Sequence, residues 1–133
     1  MLIDGKKVNI PFRRPITFPR IEGDIVFTAV AVPCNDEFES MCPSPEPPVI
    51  RDSKGNFERV DVEDKNYKKA VRDWHVRRFD HQVIRSLENV QWETVDLKDP
   101  ETWGNWKKEC TELGLSDTEV VMLLNAVIET HQP

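Results

Sequence analysis

An α+β fold is predicted for this chain by a change of period along it: short β-branched runs near the start, prolines in the middle, and apolar residues at helical spacing thereafter. The expected architecture is a small N-terminal antiparallel β unit over residues 1–33, a Pro-rich connection over 34–61, and a three-helix C-terminal unit over 62–133. At 133 residues the chain has material for one modest core, so the three stretches are expected to pack as one compact domain.

The β unit is read from residues 7–12, 16–18 and 25–32, with Asp4-Gly5 and Glu22-Gly23-Asp24 as turns. Pro11, Pro15 and Pro19 remove backbone donors and confine the first two runs to edge positions or extended arms. Residues 25–32 make the one convincing strand, and apolar side chains at both odd and even positions predict cover on both faces. In the connection, Pro43, Pro45, Pro47 and Pro48 interrupt any ladder and residues 52–56 form a turn, which predicts an extended tether and no core element.

From residue 64 to 90 apolar positions recur at helical spacing with no Gly or Pro, predicting one long amphipathic helix. Its two stripes, Tyr67, Ala70, Trp74 and Val76, Phe79, Val83, Leu87, are offset, so its two portions are expected to face different neighbours. Trp92 and Val95 fall in a short extended piece. Asp99-Pro100-Glu101 then opens a second helix as cap, first-turn proline and dipole partner. That helix places Trp103, Trp106, Cys110 and Leu113 on one face and stops at Gly114. Ser116 and Glu119 form a capping box for the last helix, whose apolar face carries Val120, Val121, Leu123, Leu124, Val127 and Ile128.

Charge narrows the functions available. Eighteen basic against 24 acidic residues give a net charge of −6 and a pI near 5.1, which argues against a nucleic-acid partner. Arg72, Arg77, Arg78 and Arg85 cluster, but Asp73, Asp80 and Glu88 interleave them, as on a solvated helix face. The longest apolar run, residues 25–33, is far short of the roughly 20 residues of a membrane span, so no membrane association is expected. Asp4, Lys6 and Lys7 stand where a signal peptide needs its apolar stretch, and the cysteines Cys34, Cys42 and Cys110 are odd in number. A reducing cytoplasm is the expected compartment.

Catalytic chemistry finds little to work with. His75 and His81, six apart on a helix, point to different faces and cannot share a metal, and His131 lies near the end, so all three read as surface histidines. Cys34 and Cys42 match no zinc spacing, and Cys110 falls on a core face. Asp61, Glu63, Asp64, Asp99 and Glu101 sit where helix starts favour negative charge, and the five glycines are scattered singly, without a phosphate loop. No catalytic residue, metal or cofactor is therefore expected, and protein binding is the leading class. Of the tryptophans, Trp74 and Trp103 read as core, and Trp92 and Trp106 as open to an interface.

The later features, Tyr67-Lys68-Lys69-Ala70, Arg77-Arg78, Ser86-Leu87, Trp92, Asp99-Pro100-Glu101-Thr102-Trp103 and Glu112-Leu113-Gly114-Leu115-Ser116 with Glu119, occur in an order that resembles tail assembly chaperones of long-tailed bacteriophages. The proline-rich stretch at residues 43–48 is similar too, whereas the first third matches no motif of that family. The resemblance implies a viral, non-enzymatic protein of the infected host cytoplasm that binds the tape measure protein during tail assembly. The partner surface is expected around Trp92, Trp106, Val121 and Leu124. Two alternatives stand beside it: a structural tail component retained in the virion, which joins a neighbouring sheet through its strands, and a small metal-dependent hydrolase using His75 or His81 with an acid.

Overall fold

The computed structural model describes residues 2–7, 12–51, 55 and 58–132. The fold is α+β, with three two-stranded antiparallel ladders and four α-helices among these residues. Strands β1 (Leu2–Ile3) and β2 (Lys6–Lys7) turn through Asp4 and Gly5, both at positive φ (52° and 74°), the tight hairpin geometry that Asp-Gly favours. Beyond Lys7, the strand expected over residues 7–12 lies outside the described residues except for Phe12, whose carbonyl accepts from Ala31 N at 3.0 Å.

Strands β3 (Arg13–Phe18) and β4 (Ile25–Val30) form the hairpin that matters to the core. Alternation puts Ile16, Phe18, Phe27 and Ala29 on the inner face; on the outer face of β4 Val26 stays exposed, Thr28 is half-buried and Val30 is buried, so the second face is covered toward the end of the strand and open at its start. Pro15 fits because it stands opposite Thr28, whose own N–H points the other way, to Asn89 Oδ1 at 2.9 Å. The pair is thus a non-hydrogen-bonded one, and the donor that proline lacks would have faced the open edge.

The connection is more than a tether. Helix α1 (Asn35–Met41) buries Phe38, at 1% exposure, against the Trp74, His81 and Trp103 rings, with centroids 5.4, 5.7 and 6.0 Å away. Strands β5 (Val49–Arg51) and β6 (Glu58–Val60) then pair as an exposed hairpin; of the turn expected at residues 52–56, only Gly55 is described, at φ 69°. One phenylalanine on a seven-residue helix leaves no periodicity to read, which is why this core element was invisible beside four prolines.

Helix α2 (Lys65–Ser86) starts at Asp64, whose carboxylate accepts from Tyr67 N at 2.9 Å. Its two portions do differ. Described side chains of the first part are at least partly exposed, and the second part buries Asp80, His81, Val83, Ile84 and Ser86. The helix ends four residues before the expected 90 because Leu87 bridges to Ala29, Glu88 N donates to Thr28 O, and the Asn89 amide reaches Thr28 N and Val26 O. Residues 87–89 thereby occupy the free edge of β4. Leu87 and Val90 satisfy the helical spacing equally well on either path.

A 3-10 turn at Pro100–Thr102, capped by Asp99, precedes α3 (Asn105–Leu113), so the second expected helix is split at Trp103-Gly104. Gly114, at φ 112°, ends α3 in a Schellman motif, with Leu115 N donating to Cys110 O and Gly114 N to Thr111 O. Helix α4 (Asp117–Thr130) begins with both halves of the Ser116–Glu119 capping box in place. One apolar cluster joins Phe18 and Phe27 of the hairpin, Phe38 of α1, Val83 of α2, Trp103 and Trp106 near and on α3, and Leu123 and Val127 of α4. Two arginines of the hairpin grip opposite ends of α4: Arg14 bonds Glu129 at 3.0 Å, and Arg20 holds Glu119 through two bonds of 2.6 and 3.0 Å.

Candidate partner-binding surface

The four residues expected to meet a partner do not form one surface. Trp106 is a correction: its ring has no exposed area, and its indole N–H donates to Asp80 Oδ1 at 2.8 Å inside the core. The spacing of Trp103, Trp106 and Cys110 is that of a single inward face, and all three occupy it. Leu124 is packed partly against the core, and Val121 stands out on α4 at 55% exposure. Trp92 is half-buried and keeps part of its ring at the surface.

Leu113 and Met122 were missed. Leu113 reads as the last inward residue of its helix, yet it is 58% exposed because the Schellman turn brings Leu115 into the core in its place. Met122, at 55%, adjoins Val121 on the outside of α4. Trp92, Phe27, Val90 and Leu113 line a groove of about 300 Å³ between residues 90–93 and α3. Glu109 pins that segment in place by accepting from Glu93 N (2.8 Å), Thr94 N (3.2 Å) and Thr94 Oγ1 (2.8 Å). Burial alone would raise the Glu109 pKa, but these donated hydrogen bonds outweigh it and leave the carboxyl below its usual value.

Two of the three histidines, His81 and His131, are corrections as well. His75 is exposed, but His81 is 1% exposed, packed at a tilt against the rings of Phe38 and Trp103, with Nε2 3.4 Å from Glu37 Oε1. Burial pushes its pKa down, and the Glu37 contact opposes that only in part. His131 is held at the end of α4: its Nδ1 lies 3.0 Å from the Val127 carbonyl, which fixes the proton there, and Nε2 accepts from Val32 N at 3.2 Å and Ser86 Oγ at 3.1 Å. The ring joins β4's exit, α2 and α4. Ser86 is fully buried, so this serine–histidine contact clamps three elements and presents no nucleophile at the surface. Asp80 likewise is buried and does not belong to a solvated face.

A second cavity, of about 520 Å³, lies where α1, α2 and the end of α4 meet, with Cys34, Arg78 and Phe79 in its lining. Burial raises the Cys34 thiol pKa and pushes that of Cys110 up to about 11, so both are poor nucleophiles near neutrality. Among the described residues no group of three His, Cys, Asp or Glu is placed to hold a metal ion, and no helix is long and apolar enough to cross a membrane. Compared with known proteins, the chain matches no family model, no curated protein and no solved structure.

Proposed function

We propose that the chain is a non-enzymatic binding factor of phage tail assembly, which keeps the tape measure protein soluble while tail subunits gather around it. The observation that carries this reading is the apolar surface left on the helical half: Leu113, Val121 and Met122 exposed, and Trp92 half-open beside its groove. Long helical polypeptides offer apolar side chains at matching intervals, and helix-in-groove docking is the mode such surfaces support. Covering a large apolar side chain contributes ~1.5–3 kcal/mol when it starts fully exposed, and these start about half exposed. Three such contacts sum to about 2–5 kcal/mol, which does not by itself exceed an association cost of ~4–15 kcal/mol, so polar or charged contacts must add to the apolar ones for a reversible complex to form.

The test is capture of the tape measure protein from infected cells, with Val121→Glu/Met122→Glu as the comparison. Both positions are exposed, so the fold should tolerate the change. Capture by the native chain that is lost in the variant supports the reading. If purified particles contain the chain in fixed copy number, it is a structural tail component instead.

A further inference from the structure

The groove beside Trp92 has a charge pattern that says what kind of side chain it takes. Its floor is Trp92, Val90 and Phe27, and its lining includes Glu93, Glu109 and Glu112 but no lysine or arginine. Glu109 is spent on holding residues 93–94 against α3. The carboxylates of Glu93 and Glu112 make no hydrogen bond or ion pair among the described residues, and both residues are exposed. The Trp92 Nε1 hydrogen is buried without an acceptor among the described residues, and the ring packs against the core cluster.

We propose that this groove receives a lysine or arginine side chain of a helical polypeptide partner, the alkyl stem lying on Val90 and Leu113 and the cationic head meeting Glu93, Glu112 and the Trp92 face. An indole is the best aromatic partner for a cation, and the contact strengthens as water leaves. A purely apolar side chain would strip water from two carboxylates and return nothing to them. A basic side chain compensates both while its stem covers apolar floor. The chain's net charge of −6 adds attraction for a basic segment at longer range. The inference rests on the binding reading above and names the chemistry of its partner.

The experiment uses the full chain, labelled with nitrogen-15, and two helical peptides that share one leucine pattern, the first carrying lysine and the second glutamate at the polar positions. The lysine peptide should shift the Trp92 indole resonance, identified by its loss in Trp92→Phe, and should bind at least tenfold tighter than the glutamate peptide. Added salt should weaken it, and Glu93→Gln/Glu112→Gln should cost about tenfold in affinity. Equal binding of the two peptides, or an unmoved Trp92 signal, overturns the proposal. Tape measure capture that survives in Glu93→Gln/Glu112→Gln overturns it too and leaves the binding reading standing. Should the native chain fail to capture the tape measure while the lysine peptide still moves Trp92, the reverse holds: the groove takes basic segments, and the assembly role falls.

Discussion

The Trp106 indole has one acceptor, Asp80 Oδ1 at 2.8 Å, and Asp80 is itself buried with Lys107 Nζ no nearer than 4.0 Å. The indole N–H is thus the short hydrogen-bond donor to this buried carboxylate, and the Lys107 ammonium is a more distant ion-pair partner. Two substitutions separate the ring from its N–H. Trp106→Ala empties a core site and should lower stability by ~3–5 kcal/mol. Trp106→Phe keeps most of the packing but strands the carboxylate, for a loss of ~1–3 kcal/mol. Urea unfolding followed by circular dichroism measures both. A Trp106→Ala loss within about 0.5 kcal/mol would mean that the ring lies at the surface after all.

Among the elements, α4 was the most legible because its signals are local: Ser116 and Glu119 cap each other across three residues, and Gly114 marks the preceding stop. The tertiary use of that cap was not legible, since Arg20 reaches Glu119 from 99 residues away. Two guanidinium bonds, joined by the Ser116 backbone donor, hold the Glu119 pKa down to about 2 from an ordinary value near 4.5. The sign follows from linkage: a lowered folded pKa gives stability that is complete above the unfolded value and fades as pH falls toward 2. Glu119→Gln retains a capping amide but no charge. Its stability should therefore fall less steeply than the native chain's between about pH 4.5 and 2, by up to about one proton's worth of slope. Parallel curves for the two proteins, from denaturation at closely spaced pH values, would show that the Arg20 bond contributes no linkage. The same distinction between local and distant signals explains the other readings. Period and caps located α2 and the start of the Asp99 turn, whereas Leu87 leaving its helix for the edge of β4, and Leu115 displacing Leu113 from the core, depend on neighbours that no window of sequence contains. The Trp92 groove is of that second kind, being assembled from β4, residues 90–93 and α3.

At the scale of the whole molecule, the question is what joins the first third to the helical half across a stretch with four prolines in six positions. The β3–β4 hairpin is fastened to α4 by Arg14 and Arg20 and to α2 by residues 87–89, and α1 closes the opposite side over α2. Trp74 Nε1 donates to Cys42 O at 2.9 Å just after α1 ends, and Arg78 reaches Asn35 Oδ1 at 3.3 Å where it starts. Between these two ties Phe38 fills a space bounded by Trp74, His81 and Trp103. An inert tether would tolerate the loss of that ring, because its side chains would face water. A strap would not: Phe38→Ala should cost ~3–5 kcal/mol, the usual range for emptying an aromatic core site, whereas Phe38→Leu should cost far less. The loss should also reach His81, whose depressed pKa comes first from burial, so in Phe38→Ala its titration should move up toward the ordinary value near 6.5. Proton NMR of the histidine ring, read beside the unfolding curves, checks both effects in one protein. A Phe38→Ala variant with native stability and an unmoved His81 titration would show that the proline-rich stretch merely lies alongside the core.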